Sequence, residues 1–527
     1  MREWHGRQDL RRGVLGGAAA LAAAGLLAKV LSAVYRVLVA QWLGAEAVGL
    51  YEMAAPVLAM GISVCGMGLP VATSALVATV LGRGDPSGAR RLLRATRLLL
   101  LLTGAVGTAA VFAFAPRLAA AVGNPAAAGP MRAIAPAILL ATLLAGEKAW
   151  LQGSGRVAAS AAAVTAEQVV RVGAALAAAA AFAGRTPGGG TAAAAASAVA
   201  WAPGIGAAGG IVACAATDRL APAPGIGGGT EVGRAAPGAE GRDLLRVGLP
   251  NWAAGVVSSL TTALDAAFVV WRLRAAGLGD YTATAWLGEL NGMAMPLAAG
   301  PSVLFGALGS ALVPNLAADW ARGRTDSLRR RCASAYFWAL AVAAPCAAVL
   351  WQMAEPICRL IFPRNPGASL PLAVLAFTGI PLGLGYVASA VANAVGRPAA
   401  LLPGAMCGAA LKSALVLALT GSYGLGIRGA ALGILAGQAL SAGLNVRAVS
   451  GATGCRPPWS ALAAVALPAV AGQVLAAQLG WTAFAAAGLA VRIVAAGGAA
   501  GAAYVTIFAA LFLLCRRRLD LPAWPRF

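Results

Sequence analysis

Apolar runs of about twenty residues, separated by short polar or basic stretches, recur along the whole chain. A helix of that length crosses a hydrocarbon core about 30 Å thick. The pattern therefore predicts helices near 14–38, 54–81, 95–115, 131–151, 157–183, 192–214, 244–271, 285–313, 333–353, 371–395, 399–419, 425–446, 459–478 and 486–515. These runs describe an all-α integral membrane protein with about fourteen transmembrane helices. The first run starts near Val14 and continues to about Leu43, well beyond signal-peptide length, so it reads as a retained helix.

An even number of spans places both termini on one side, and the positive-inside rule then predicts where the basic residues gather. Arg2, Arg7, Arg11 and Arg12, the cluster from Arg83 to Arg97, the run Arg329-Arg330-Arg331 and the tail Arg516-Arg517-Arg518 all fall on the terminal side. The other side holds isolated residues such as Arg117, Arg132, Arg359 and Arg428. The expectation is a bacterial cytoplasmic (inner) membrane protein with both termini cytoplasmic.

The chain also repeats itself. Met53-Ala54-Ala55-Pro56 returns as Met293-Ala294-Met295-Pro296, Arg90-Arg91 as Arg330-Arg331, and Gly155-Arg156 as Gly396-Arg397. A nearly constant offset across four helices implies duplication of a six-helix unit. Six is even, so the two halves insert in the same orientation, a parallel repeat that suits a carrier opening alternately to each side. The expected division is an N-terminal lobe at 1–215, a Gly/Pro-rich cytoplasmic linker at 216–243, a C-terminal lobe at 244–450, and a helix pair with a basic tail at 451–527.

Composition agrees with a lipid environment. Hydrophobic residues make up 60% of the 527-residue chain and charged ones 11%, against roughly 25% in soluble domains. The net charge of +22 is spread in clusters between apolar runs, which fits anionic membrane lipids as partners and argues against nucleic acid. The eight cysteines are scattered without a C-x-x-C pair, and His5 is the sole histidine, so metal sites and His-based catalysis are not indicated. The three lysines, Lys29, Lys148 and Lys412, never follow glycine, which excludes a Walker A loop. No cofactor is expected; coupling falls to the membrane potential or a monovalent cation.

Several segments carry a family resemblance. Lys29-Val30-Leu31-Ser32-Ala33-Val34-Tyr35-Arg36, Leu43-Gly44-Ala45-Glu46-Ala47-Val48-Gly49-Leu50-Tyr51 and Gly68-Leu69-Pro70-Val71-Ala72 resemble the opening of the stage V sporulation protein B group of polysaccharide exporters. Leu151-Gln152-Gly153, Glu167 to Val172, Leu312-Val313-Pro314 and Gly424 to Ala431 continue the likeness in order, with a departure at Glu147-Lys148. That group is similar to the lipid II flippases within the multidrug/oligosaccharidyl-lipid/polysaccharide (MOP) exporter superfamily. The resemblance implies two pseudo-symmetric six-helix lobes plus a C-terminal helix pair, a MATE/MOP-like fold. It also implies a cavity lined by helices one, two, seven and eight, and export of undecaprenyl-linked glycans by a non-enzymatic carrier; a monomer is expected.

A charge at mid-bilayer costs about 2.5–3.5 kcal/mol on insertion scales, so intramembrane charges mark polar cavities or paired sites. Lys29 and Arg36 lie two turns apart on one face of the first helix, where they suit a pyrophosphate. The competing reading sends Arg36 to the outer interface and pairs Lys29 with Glu52 or Asp265. Asp265 reads as orienting a neighbouring base, and Glu52 and Glu289 as gate or interface residues. Glu167 and Arg171 have the spacing of a structural i,i+4 pair. Lys412 and Arg492 are secondary candidates facing a groove or a headgroup. The leading function is a flippase for a lipid-linked glycan; the alternative is a cation-coupled multidrug exporter of the same superfamily.

Overall fold

Ala and Leu, both strong helix formers, fill the apolar runs, and in hydrocarbon a helix satisfies all of its own backbone groups. A computed structural model describes residues 2–184, 190–220, 239–421 and 424–515, and among these it is helical with no strand. Eleven stretches among the described residues are long and apolar enough to cross a membrane. The protein is a multi-pass membrane protein.

In chain order the main helices are α1 (Arg2–Gly66), α2 (Leu69–Gly82), α3 (Pro86–Val122), α4 (Pro136–Gly153), α5 (Val157–Ala180) and α6 (Ala202–Leu220). Next come α7 (Ala239–Ala275), α8 (Asp280–Leu287), α9 (Ser302–Ala321), α10 (Thr325–Gln352) and α11 (Gly379–Ala394). The last four are α12 (Leu402–Leu419), α13 (Ile427–Thr453), α14 (Trp459–Ala483) and α15 (Leu489–Cys515).

The boundaries of the first two spans differ from the expected ones. No polar loop separates them; the chain turns at the single residue Gly44 (φ 79°, ψ 174°), a conformation that glycine adopts without a β-carbon clash. The second span then breaks at Met67 and Gly68, both in the left-handed region (φ 46° and 65°), before α2 resumes at Leu69-Pro70. Asp85 caps α3 ahead of Pro86, accepting from the Gly88 amide at 2.7 Å.

The chain forms two compact units, Met1–Trp271 with Gly279–Gly288, and Arg272–Leu278 with Glu289–Phe527. Most of α7 and all of α8 therefore lie with the first unit. Trp252 Nε1 on α7 donates to the Val64 carbonyl at 3.0 Å beside the break in the second span, and Ser63 and Ser259 are 2.6 Å apart. Asn124 Nδ2 donates to Thr284 Oγ1 on α8 at 2.8 Å. Residues 221–238, the middle of the expected linker, lie outside the described residues, as does the basic tail after Cys515.

The first unit packs around Leu69, Leu100, Leu144 and Leu151, and the second around Phe305, Leu328, Tyr336 and Val391. The C-terminal pair α14–α15 docks on α10 of the second unit through aromatic rings: Phe508 lies 5.9 Å from Phe337 and 6.0 Å from Trp338, centroid to centroid. Tyr504 Oη donates to the Ala341 carbonyl at 2.5 Å.

Helices α12 and α13 cross at glycines, as expected where lipid supplies no hydrophobic drive and backbones must approach closely. A β-carbon at Gly437 would lie 2.5 Å from Lys412 Cβ and 2.6 Å from the Gly408 carbonyl oxygen, whereas Gly443 on the same helix has nothing within 4 Å. Gly437→Ala should therefore lower the thermal unfolding midpoint in detergent, at a cost of roughly 1–3 kcal/mol. Gly443→Ala should leave the midpoint unchanged or slightly raised.

Candidate functional site

Sixteen residues separate Arg36 from Glu52, about 24 Å along a straight helix, yet Arg36 Nη1 lies 3.4 Å from Glu52 Oε1. The turn at Gly44 brings them together. The Arg36 side chain keeps 33% of its surface uncovered and Glu52 only 11%. Glu52 thus answers Arg36. Lys29 lies on α1 two turns before Arg36, but its side chain is outside the described residues.

The neighbouring face of α1 meets α5. Ser32 Oγ donates to Gln168 Oε1 at 3.2 Å, and three residues further along each helix Arg171 lies over the buried ring of Tyr35, its guanidinium carbon 5.9 Å from the centroid. Arg171 Nη2 also lies 3.4 Å from Tyr35 Oη, and Tyr51 offers a second hydroxyl. Gly206 of α6 closes on this arginine; a β-carbon there would lie 2.5 Å from Arg171 Cβ. Arg171 Nε is buried without an acceptor, and no ion pair to Arg171 is found among the described residues. The cluster holds two guanidiniums, one carboxylate and two phenols, an excess of one positive charge with an unused donor. Such a set accepts an anionic oxygen readily.

The expected pairing of Glu167 with Arg171 is not formed. Lys148 Nζ on α4 reaches Glu167 Oε2 at 3.0 Å, while Arg171, one turn further on, faces α1. Glu147, beside Lys148, points the other way and accepts both Arg97 Nε at 2.6 Å and Nη2 at 2.7 Å from α3. Arg156 bonds Asp218 and the Thr217 carbonyl on α6. These pairs brace α3, α4, α5 and α6. Tyr35, Tyr51, Arg97 and Lys148 were not singled out as site residues; the adjacent opposite charges of Glu147-Lys148 were the available signal for two of the pairs.

Asp265 is half-buried on α7 and has a polar partner. In the second unit, Glu289 is 8% exposed and opens the π-helical turn Gly288–Ala294, a geometry frequent at functional sites. Both of its carboxylate oxygens lie 2.8 Å from where a β-carbon of Gly367 would sit. Lys412 is half-buried on α12 against Gly437. Arg492 is held within the C-terminal pair, stacked 3.9 Å from the Trp481 ring centroid and 3.4 Å from its carbonyl oxygen.

Residues 14–318 match the family described as polysaccharide biosynthesis protein. The chain belongs to that family. It is 27% identical over 441 residues, 83% of each chain, to stage V sporulation protein B of Bacillus subtilis (strain 168). Its fold is similar to that of the lipid II flippase MurJ in an inward closed conformation, with a TM-score of 0.65, 13% identity, and coverage of 95% of this chain and 99% of that one. An inward-facing multidrug resistance MATE family transporter of the MOP superfamily also matches, with a TM-score of 0.65 at 17% identity, over 81% of this chain and 94% of that one. The resemblance read from the opening segments is thereby shown, and the family sets the protein among membrane transporters rather than enzymes.

The Lys148–Glu167 contact should behave as a structural pair. Lys148→Ala and Glu167→Ala should each destabilise the detergent-solubilised protein. The double variant should lose less than the sum of the two, with a coupling on the order of 1 kcal/mol in a thermal double-mutant cycle; additive losses would contradict the pairing.

Proposed function

We propose that the protein is a flippase that carries an undecaprenyl-pyrophosphate-linked glycan from the inner to the outer leaflet of the bacterial cytoplasmic membrane by alternating access. The glycan is a lipid II-type peptidoglycan precursor or a related polysaccharide intermediate. One observation carries this reading: Arg36, paired with Glu52, and Arg171, which has no carboxylate, gather at Tyr35 in the first unit, and Arg171 Nε is left without an acceptor. A pyrophosphate supplies the missing acceptors, and guanidiniums bind it through paired, charge-assisted hydrogen bonds. Lys29, two turns before Arg36 on α1, and Asp265 complete the proposed substrate-binding set.

The driving force suits an anion. An inside-negative membrane favours outward movement by about 2.3 kcal/mol per charge per 100 mV, and the sequence lacks a Walker A loop for ATP. A monovalent cation serves as the second possible coupling species. The basic clusters support cytoplasmic termini beside anionic lipids, and the proposed carrier works as a monomer. The multidrug alternative needs an acid in the first unit free for a cationic drug; Glu52 is engaged by Arg36, which leaves Glu46, whose Oε2 is buried without a partner, as the acid that reading would use.

The test is depletion in the native host with an assay of precursor sidedness, complemented by variants expressed at equal level. Wild-type protein should restore outer-leaflet glycan lipid, while Arg36→Ala and Arg171→Ala should lower the transfer rate at least about tenfold, the scale of one lost charged hydrogen bond. Normal transfer after depletion, with no redundant carrier, would remove the proposal.

A further inference from the structure

A cavity of about 280 Å³ lies between α11 and α13 of the second unit, lined on its polar side by Tyr386, Ser389, Gln438, Ser441 and Asn445. Gln438, Ser441 and Asn445 follow one another at i, i+3 and i+7 and so share one face of α13; Tyr386 and Ser389 share one face of α11. The wall otherwise consists of Pro381, Leu382, Gly385 and Ala442, and none of the lining residues is charged. Nothing in it neutralises a pyrophosphate or a cationic drug.

Its polar groups are incompletely used. Gln438 Oε1 and Asn445 Oδ1 are both buried without a hydrogen-bond donor, the second of them packed against Gly404 of α12. A buried amide oxygen in that state is costly and calls for a donor. Carboxamides and hydroxyls both donate and accept, so the complementary ligand is one whose own groups do both. Sugar hydroxyl and acetamido groups have this property, and the Tyr386 ring offers a flat surface to the apolar face of a pyranose. The volume falls just below the range of drug-sized pockets, which fits a single small group.

We propose that this cavity binds an uncharged sugar of the transported glycan, holding it by the carboxamides of Gln438 and Asn445. The assignment rests on the glycan-lipid reading above and deepens it, because it separates recognition of the sugar from recognition of the pyrophosphate.

The test uses the full chain in lipid nanodiscs and two probes, soluble N,N′-diacetylchitobiose and sugar-free undecaprenyl pyrophosphate. Wild-type protein should bind the disaccharide, and Gln438→Leu and the truncation Asn445→Ala should each weaken that binding about tenfold without altering affinity for undecaprenyl pyrophosphate. Replacing sodium by choline should change neither. Absence of disaccharide binding, equal binding by the variants, or a sodium-dependent response in place of sugar binding would overturn the proposal. The two readings fail separately. If undecaprenyl pyrophosphate does not bind but the disaccharide does in a Gln438-dependent way, the pyrophosphate reading falls and the sugar cavity stands. Lipid binding without disaccharide binding gives the reverse.

Discussion

An ionised side chain inside hydrocarbon must be met by a partner or by water, and the first unit is organised around how its charges are met. Arg97 has Glu147, Lys148 has Glu167, Arg156 has Asp218 and Arg36 has Glu52. The first three pairs tie neighbouring helices together. The fourth joins two positions on one helix that only the turn at Gly44 can bring into contact. Arg171 differs from these four: it is answered by a tyrosine ring and hydroxyls in place of a carboxylate. A cation held by neutral groups costs stability, and the energy so stored is available to an anionic ligand.

The second unit is built on different terms. It shares close glycine crossings, as at Gly437, with the first unit and adds the aromatic cluster that docks α14 and α15 on α10. Of its buried acids, Glu289 sits on a π-helical turn and Asp319 pairs with Arg331 at 2.8 Å, and its cavity between α11 and α13 is neutral. The cluster of Arg36 and Arg171 thus lies in the first unit and the neutral cavity in the second. That asymmetry matches a substrate with a doubly charged head joined to uncharged sugars, where a single cationic cluster suffices.

Much of the fold was legible because the signal for a membrane helix is one-dimensional: length and apolarity, both visible along the chain. The runs at 95–115 and 459–478 fall inside α3 and α14 for that reason. The join between the first two spans was harder, since Gly44 turns the chain with no polar residues to mark a loop. The candidate site was legible in its cations, because an arginine in an apolar run stands out. Its partners were not. Glu167 and Arg171 have the right spacing for each other, but Lys148 on the adjacent helix takes the carboxylate, and sequence spacing carries no information about a neighbouring helix. Tyr35 and Tyr51 were overlooked because a tyrosine in a membrane helix has ordinary packing roles.

The most direct measurement is translocation in proteoliposomes. The full chain is reconstituted with an undecaprenyl-pyrophosphate-linked disaccharide loaded in one leaflet, and the appearance of that lipid at the opposite surface is followed with a membrane-impermeant reagent under an imposed potential. The account predicts transfer faster than in protein-free vesicles, accelerated when the potential draws the anionic head towards the positive side, and strongly slowed in Arg171→Ala. Transfer no faster than in protein-free vesicles, with the protein folded and inserted, would contradict it.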